Sequence, residues 1–441
     1  MRVIYDISTL GLGYRSGERA GVFRAVERLA YGLAAAPECE LVFSATLSIR
    51  ELHSALAYLA ATPGLRAVPL PHPYQQRPIR HILDSAAKAL LDRHSAELGI
   101  RLAATGSPLR RGRNLAYRGL LGTQRRLEAR YPPIEPLSLA AADLYHSPMH
   151  AIPPQVKVRR GLGTLLTVYD LIPILHPQFF KATATNSRNA TVILQSILPD
   201  GWALCISEAT KADLCNYLPI APERVRVTYL AADPDLFYPC TDPEQQAAIR
   251  QKYGIPAEVP YLLSVNTLEP RKNMAHAISA FARLVQEQAI PDLCFVLVGA
   301  RGWDYGAIFD TIAHTPGLAA RVIVTGYVAD SDLAALYSGA LAFVYPSLYE
   351  GFGLPPLEAM QCGVPVITSN TAALPEVVGD AGLLVDPHDE DALCQALWTL
   401  YRDADQRATL AAAGIARARQ FSWAQTVAQT LAAYQAVLDA R

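Results

Sequence analysis

The hydrophobic residues of this chain fall into short unbroken runs, separated by stretches in which they recur every three or four positions. Runs at 2–8, 41–47, 142–147, 165–169 and 202–207 lie in the first half, and runs at 261–265, 293–298, 321–325, 341–345 and 364–368 in the second. Runs of this length without polar alternation suit strands buried on both faces of a parallel sheet. Between them, Val22, Phe23, Val26, Leu29, Ala30 and Leu33 share one helical face. Residues 208–217, 332–338 and the amphipathic tail from 421 also read as helices. Strands and helices alternating in this way predict an α/β protein. The proline-bearing acidic run at 233–244 (DPDLFYPCTDPE) reads as a linker. It divides the chain into a first domain at 1–235, a second at 245–420 and a final helix at 421–441.

One stretch concentrates the chemistry. Residues 341–368 (LAFVYPSLYEGFGLPPLEAMQCGVPVIT) give a strand, a glycine-bearing loop, a short helix and a second strand. Pro355 and Pro356 suit a helix start, where a missing N–H costs nothing, and Gly363 suits the position just past its end. Gly351 and Gly353 let a ligand approach the backbone. The unpaired N–H groups at the helix start favour a phosphate or a sugar oxygen. Glu350 and Glu358 stand eight residues apart at this mouth, where carboxylates can accept hydrogen bonds from sugar hydroxyls. Spacing alone fits equally a solvated loop acid beside a helix-start acid stabilised by the dipole.

Elsewhere, the run at 2–8 leads into a glycine-bearing loop at 10–21 and a helix, a layout that brings backbone N–H groups to a phosphate. The spacing is not GxGxxG, so no dinucleotide fingerprint is present. Arg271 and Lys272 precede another helix, the one as a fork and the other as a point charge for phosphate. Asp170 follows the run at 165–169 and could also cap the next turn. Ser207 fits a helix N-cap.

EGFGLPPLEAMQCGVPVI closely resembles the Glu-x7-Glu region of the family-4 retaining glycosyltransferases. The resemblance implies the GT-B fold: two doubly wound, Rossmann-like parallel-sheet domains facing each other across a cleft. It implies that Glu350 and the backbone at Gly351, Phe352, Gly353 and Leu354 hold the donor sugar, and that Glu358 holds the ribose. EPRKN is similar to the family's phosphate-binding lysine motif, which points to Lys272. Asn266 stands where many members carry a second arginine, so Arg271 is expected to share the diphosphate with Lys272. AGVFRAVERL is similar to the family's opening loop, with Phe23 in place of its second glycine, and nominates Gly21 and Arg24. YDLIPILHP resembles the family's His-Asp segment with Tyr169 in the histidine place, and nominates Asp170. In that family the backbone at the turn matching GYV meets the base, which nominates Tyr327 and Val328. The match is strong over 260–440 and weak over 1–235.

Composition narrows the setting. The chain has 441 residues, is 51% hydrophobic and carries a net charge of −1. Residues 1–175 hold 22 basic and 13 acidic side chains, and the remainder holds 17 and 27. A basic half beside an acidic half suggests an anionic partner for the first half. Seven scattered cysteines without CxxC argue for reduced thiols in a cytoplasmic setting and against a zinc site. No run is long and apolar enough for a membrane span. Arg110, Arg111, Arg113, Arg118, Arg125, Arg126 and Arg130 lie in one helix-like stretch. That stretch is either a solvated helix packed by its leucines or a peripheral contact with an anionic inner membrane face.

The expected activity is transfer of a hexose or deoxyhexose from a GDP-, dTDP- or UDP-linked donor to a carbohydrate or lipid-linked acceptor, in cell-surface polysaccharide synthesis. No metal, cofactor or nucleic acid is expected. An epimerase or soluble-acceptor synthase on the same scaffold, and a non-catalytic glycan-binding subunit, are the alternatives.

Overall fold

The structure, a computed structural model, describes residues 1–17, 21–72, 134–181 and 183–441. It contains two six-stranded sheets, and every pairing given below is parallel. The first uses β1 (Arg2–Asp6), β2 (Glu40–Ser44), β3 (Leu144–Ser147), β4 (Gly163–Val168), β5 (Trp202–Cys205) and β6 (Val225–Val227), in the order β2-β1-β3-β4-β5-β6. Val3 faces Leu41 on one side and Leu144 on the other, in register. The second uses β7 (Tyr261–Val265), β8 (Cys294–Val298), β9 (Val322–Gly326), β10 (Ala342–Tyr345), β11 (Val366–Ser369) and β12 (Leu383–Val385), in the order β12-β11-β10-β7-β8-β9. Tyr261 pairs with Cys294, and Phe343 with Val366. The predicted runs become strands because both of their faces are covered: Ile4, Tyr5, Leu263, Val296 and Phe343 are all fully buried.

The chain divides into two compact units. One comprises 1–167, 195–203 and 431–441, and the other 168–194 and 204–430. In the first, the segment after β1 corrects the expectation of a phosphate loop. Residues Ser8–Ser16 form a helix instead. A Cβ on Gly11 would stand 2.7 Å from the carbonyl oxygen of Glu51 and 2.8 Å from the nitrogen of Ala55. The glycine there lets this helix lie tightly against helix Ile49–Ala61. On β3, His146 is fully buried, with Nδ1 2.7 Å from the Tyr434 hydroxyl and Nε2 2.7 Å from Thr167 Oγ1. Burial pushes its pKa down to about 3.

In the second unit, helix Met274–Glu287 buries Ala277, Ile278, Phe281 and Leu284 on one stripe. Phe281 meets Phe295 of β8 edge to face at 5.7 Å. Helix Glu208–Tyr217 begins at Ser207, whose side chain accepts from the Thr210 N–H as a cap should. Glu376 adds a second cap from far along the chain: its carboxylate accepts from the N–H groups of Glu208 and Ala209, both at 2.7 Å. No described helix is long and apolar enough to cross a membrane. The arginine-rich stretch at 110–130 lies outside the described residues.

Candidate functional site

Arg271, Lys272 and Glu350 come together beyond the ends of β7 and β10. Beyond β7, Pro270–Lys272 makes one tight turn, and Asn273 closes it in the left-handed region at φ 59°. Beyond β10, the chain runs through Ser347 and Glu350 to Gly353, whose φ of 128° favours glycine, and then into helix Leu354–Gln361. Both prolines fall in the first turn of that helix, and Gly363 ends it at φ 75°.

Glu350 is the hub. Its Oε1 accepts from Lys272 Nζ at 2.6 Å, Ser347 Oγ at 2.7 Å and the Tyr345 hydroxyl at 2.9 Å. Its Oε2 lies 2.7 Å from Arg271 Nη1. The guanidinium also donates to the Tyr349 carbonyl at 2.8 Å and to Glu269 Oε1 at 2.7 Å. Glu350, Lys272 and Glu269 are all buried. Burial alone would raise the pKa of Glu350, yet Lys272 and Arg271 hold it down at about 2. Burial pushes the Lys272 ammonium below its ordinary value, while Glu350 pulls the other way. Two cations and two carboxylates packed this closely pair with one another, although Arg271 Nε is buried without a hydrogen-bond partner among the described residues, and removing one member leaves uncompensated charge in a dry place.

Asp170 joins the cluster from another part of the chain. A Cβ on Gly351 would stand 2.1 Å from the Tyr169 carbonyl oxygen and 2.9 Å from Asp170 Cβ, so only glycine lets these strands of backbone meet. Ser207 Oγ donates to the Gly351 carbonyl at 2.8 Å, with Thr210 Oγ1 3.2 Å from the same oxygen. Asp170 Oδ1 accepts from the Ile172 N–H at 3.0 Å, so it also caps the turn that follows it. Burial raises its pKa, Glu350 adds to that, and Ile172, Arg271 and Lys272 oppose it.

Glu358 is buried in the helix, its Oε2 accepting from the Tyr337 hydroxyl at 3.1 Å. Phe352 turns its ring away into a cluster with Tyr229 and Phe421, so its contribution to a ligand would be its backbone. Leu354 is half-buried at the helix start. Asn266 directly follows β7, with Nδ2 donating to Ser264 Oγ at 2.8 Å, and its carbonyl crowds Gly299. Tyr327 is 77% exposed while Val328 is buried. Gly21 and Arg24 belong to the first unit, with Gly21 at φ 50° before helix Val22–Ala35.

Sequence reasoning missed Glu269, Tyr345 and Ser347. Tyr345 carried a signal, since a tyrosine ending an apolar strand must find a partner for its hydroxyl. Glu269 carried none beyond its place beside Arg271.

A family profile for glycosyl transferases group 1 matches residues 245–417. The chain is 34% identical over 292 residues to O-antigen chain mannosyltransferase B of Escherichia coli, covering 66% of this chain and 74% of that one. It is 31% identical over 266 residues to the serotype-specific mannosyltransferase WbdA of Escherichia coli, covering 60% of this chain and 32% of that longer relative. Among solved structures, sucrose-phosphate synthase of Thermosynechococcus elongatus superposes with a TM-score of 0.64 at 21% identity, over the whole of both chains. The predicted GT-B fold is thereby the observed one.

Proposed function

The chain belongs to the glycosyl transferases of group 1, and from that premise we propose that it moves a mannosyl unit from a nucleotide-diphosphate sugar to a hydroxyl of a growing surface polysaccharide. Mannose and the polysaccharide acceptor are carried over from the two mannosyltransferase relatives. GDP is the leaving group in this reading, and the anomeric configuration is retained. Neither an epimerase nor a non-catalytic subunit stands among the relatives named above.

The observation that carries the reading is the buried Lys272–Glu350–Arg271 cluster beside the start of helix Leu354–Gln361. When the bond from the anomeric carbon to the diphosphate oxygen breaks, negative charge grows on the diphosphate. The Lys272 ammonium and the open N–H groups at 351–354 neutralise it in a setting of low dielectric. Glu350 holds Lys272 in place and offers its remaining lone pairs to the sugar. Arg271 shares its fork among Glu350, Glu269 and the Tyr349 carbonyl, so it positions the loop as well as adding positive charge. Asp170 faces the reacting sugar, Glu358 takes the ribose and the turn at Tyr327 and Val328 takes the base. Gly21 and Arg24 are assigned to donor binding as well, and Asn266 to the diphosphate.

The test is a thermal-denaturation screen with GDP, UDP, dTDP and ADP, followed by turnover of GDP-mannose. A ligand selective for the folded state adds about 2.7 kcal/mol at 100 times its Kd. GDP is expected to give the largest upward shift, with release of GDP from GDP-mannose when an acceptor glycan is added. Absence of stabilisation by all four nucleotides, with no GDP release, would overturn the proposal.

A further inference from the structure

A group of half-buried rings adjoins Glu350 and takes no part in the scheme above. His176 stacks on Phe179 at 5.5 Å and tilts against Tyr349 at 4.5 Å. Phe180 stacks on Trp303 at 5.8 Å, and Trp303 Nε1 donates to the Phe179 carbonyl at 2.7 Å, which fixes the indole. The Tyr349 hydroxyl donates to Asp213 Oδ2 at 2.7 Å. Among the described residues, Asp213 Oδ1 and both ring nitrogens of His176 make no hydrogen bond. The surface therefore combines aromatic faces with open polar groups. Tyr349 makes it continuous with the hub, since its carbonyl accepts from Arg271 and its neighbour in the chain is Glu350.

We propose that His176, Phe179, Phe180, Trp303 and Tyr349, with the carboxylate of Asp213, form a platform for a neutral sugar unit of the acceptor. A sugar has an apolar C–H face and a rim of hydroxyls. Rings take the face, and a carboxylate or imidazole takes the rim. The occupant is a neutral saccharide, because Asp213 repels a diphosphate while it accepts from hydroxyls. This inference rests on the glycosyltransferase reading.

Calorimetric titration tests it, with neutral trisaccharides of mannose, glucose and galactose as probes and GDP titrated in parallel. Wild type is expected to bind at least one trisaccharide. Trp303→Ala should weaken that binding about tenfold, the 1.4 kcal/mol that a lost stacking contact represents. Trp303→Phe should stay close to wild type, and GDP affinity should be unchanged in both. Asp213→Asn keeps the shape, should also weaken the sugar, and decides the matter if Trp303→Ala loses GDP affinity as well. Equal trisaccharide affinity in wild type, Trp303→Ala and Asp213→Asn overturns the platform. So does a wild type that binds GDP but none of the three sugars, an outcome that leaves the proposed activity standing. Sugar binding with no nucleotide binding would instead remove the proposed activity and leave the platform.

Discussion

Lys272 Nζ and Glu350 Oε1 stand 2.6 Å apart, and each is shielded almost wholly from water. Each therefore supplies the solvation that the other has lost. Deleting the Glu350 carboxylate strands the Lys272 ammonium, which links the chemistry of the site to the stability of the fold.

Glu350→Gln is accordingly expected to destabilise the protein as well as to disable it. Removing one partner of a buried pair costs about 3–5 kcal/mol. Denaturant unfolding of the variant beside wild type measures this, and a loss below about 1 kcal/mol, the range of exposed pairs, would refute it.

Lys272→Ala should lower turnover of the nucleotide sugar by about 100- to 1,000-fold, the loss seen when one preorganised donor is taken from a developing anion. Steady-state kinetics on folded variant protein decides this, and turnover within a few fold of the parent would reject the role given to Lys272.

Gly351→Ala tests the backbone meeting. The added carbon would stand 2.1 Å from the Tyr169 carbonyl oxygen, so the loop must move. Expected outcomes are a lower melting temperature and loss of transfer activity, with Asp170 displaced from Glu350 in a crystal structure of the variant.

Acid should weaken the protein in two steps. His146 has its pKa lowered by burial to about 3 from an ordinary 6.5, so the unfolded chain binds the proton first. Its contribution is present above pH 6.5 and drains away as pH falls towards 3, at no more than about 1.4 kcal/mol per unit. Glu350, held at about 2 against an ordinary 4.5, adds a second loss lower down. Urea unfolding between pH 7 and pH 4.5 measures the first step, to which His150, whose pKa burial also lowers, adds, and His146→Gln should reduce the slope there.

Glu376→Ala removes an acceptor from two N–H groups at the start of helix Glu208–Tyr217. A lost helix cap costs about 0.5–2 kcal/mol. Equilibrium unfolding should register a loss in that range.

The strands were legible because both their faces are buried, which leaves an unbroken apolar signature at β1, β7 and β10. The glycine loop after β1 was misread because Gly11 serves close helix packing, and a glycine needed for proximity to a helix looks the same as one needed for proximity to a phosphate. Lys272 and Glu350 stood out by resemblance, but nothing in a linear chain announces that they touch, since 78 residues separate them. Likewise Glu376 lies 168 residues from the helix whose start it caps. Such partnerships are products of tertiary closure, and local pattern does not encode them.

The shared carbonyl of Gly351, held by the hydroxyls of Ser207 and Thr210 against the Tyr169 peptide, has a dynamic corollary. Three segments remote in the chain meet at the Thr210 hydroxyl, whose oxygen lies 3.2 Å from the Gly351 carbonyl oxygen and 3.3 Å from that of Tyr169, so none can fray by itself. In native-state hydrogen exchange, the amides of Ile172, Thr210 and Leu348 should report a single opening free energy rather than three.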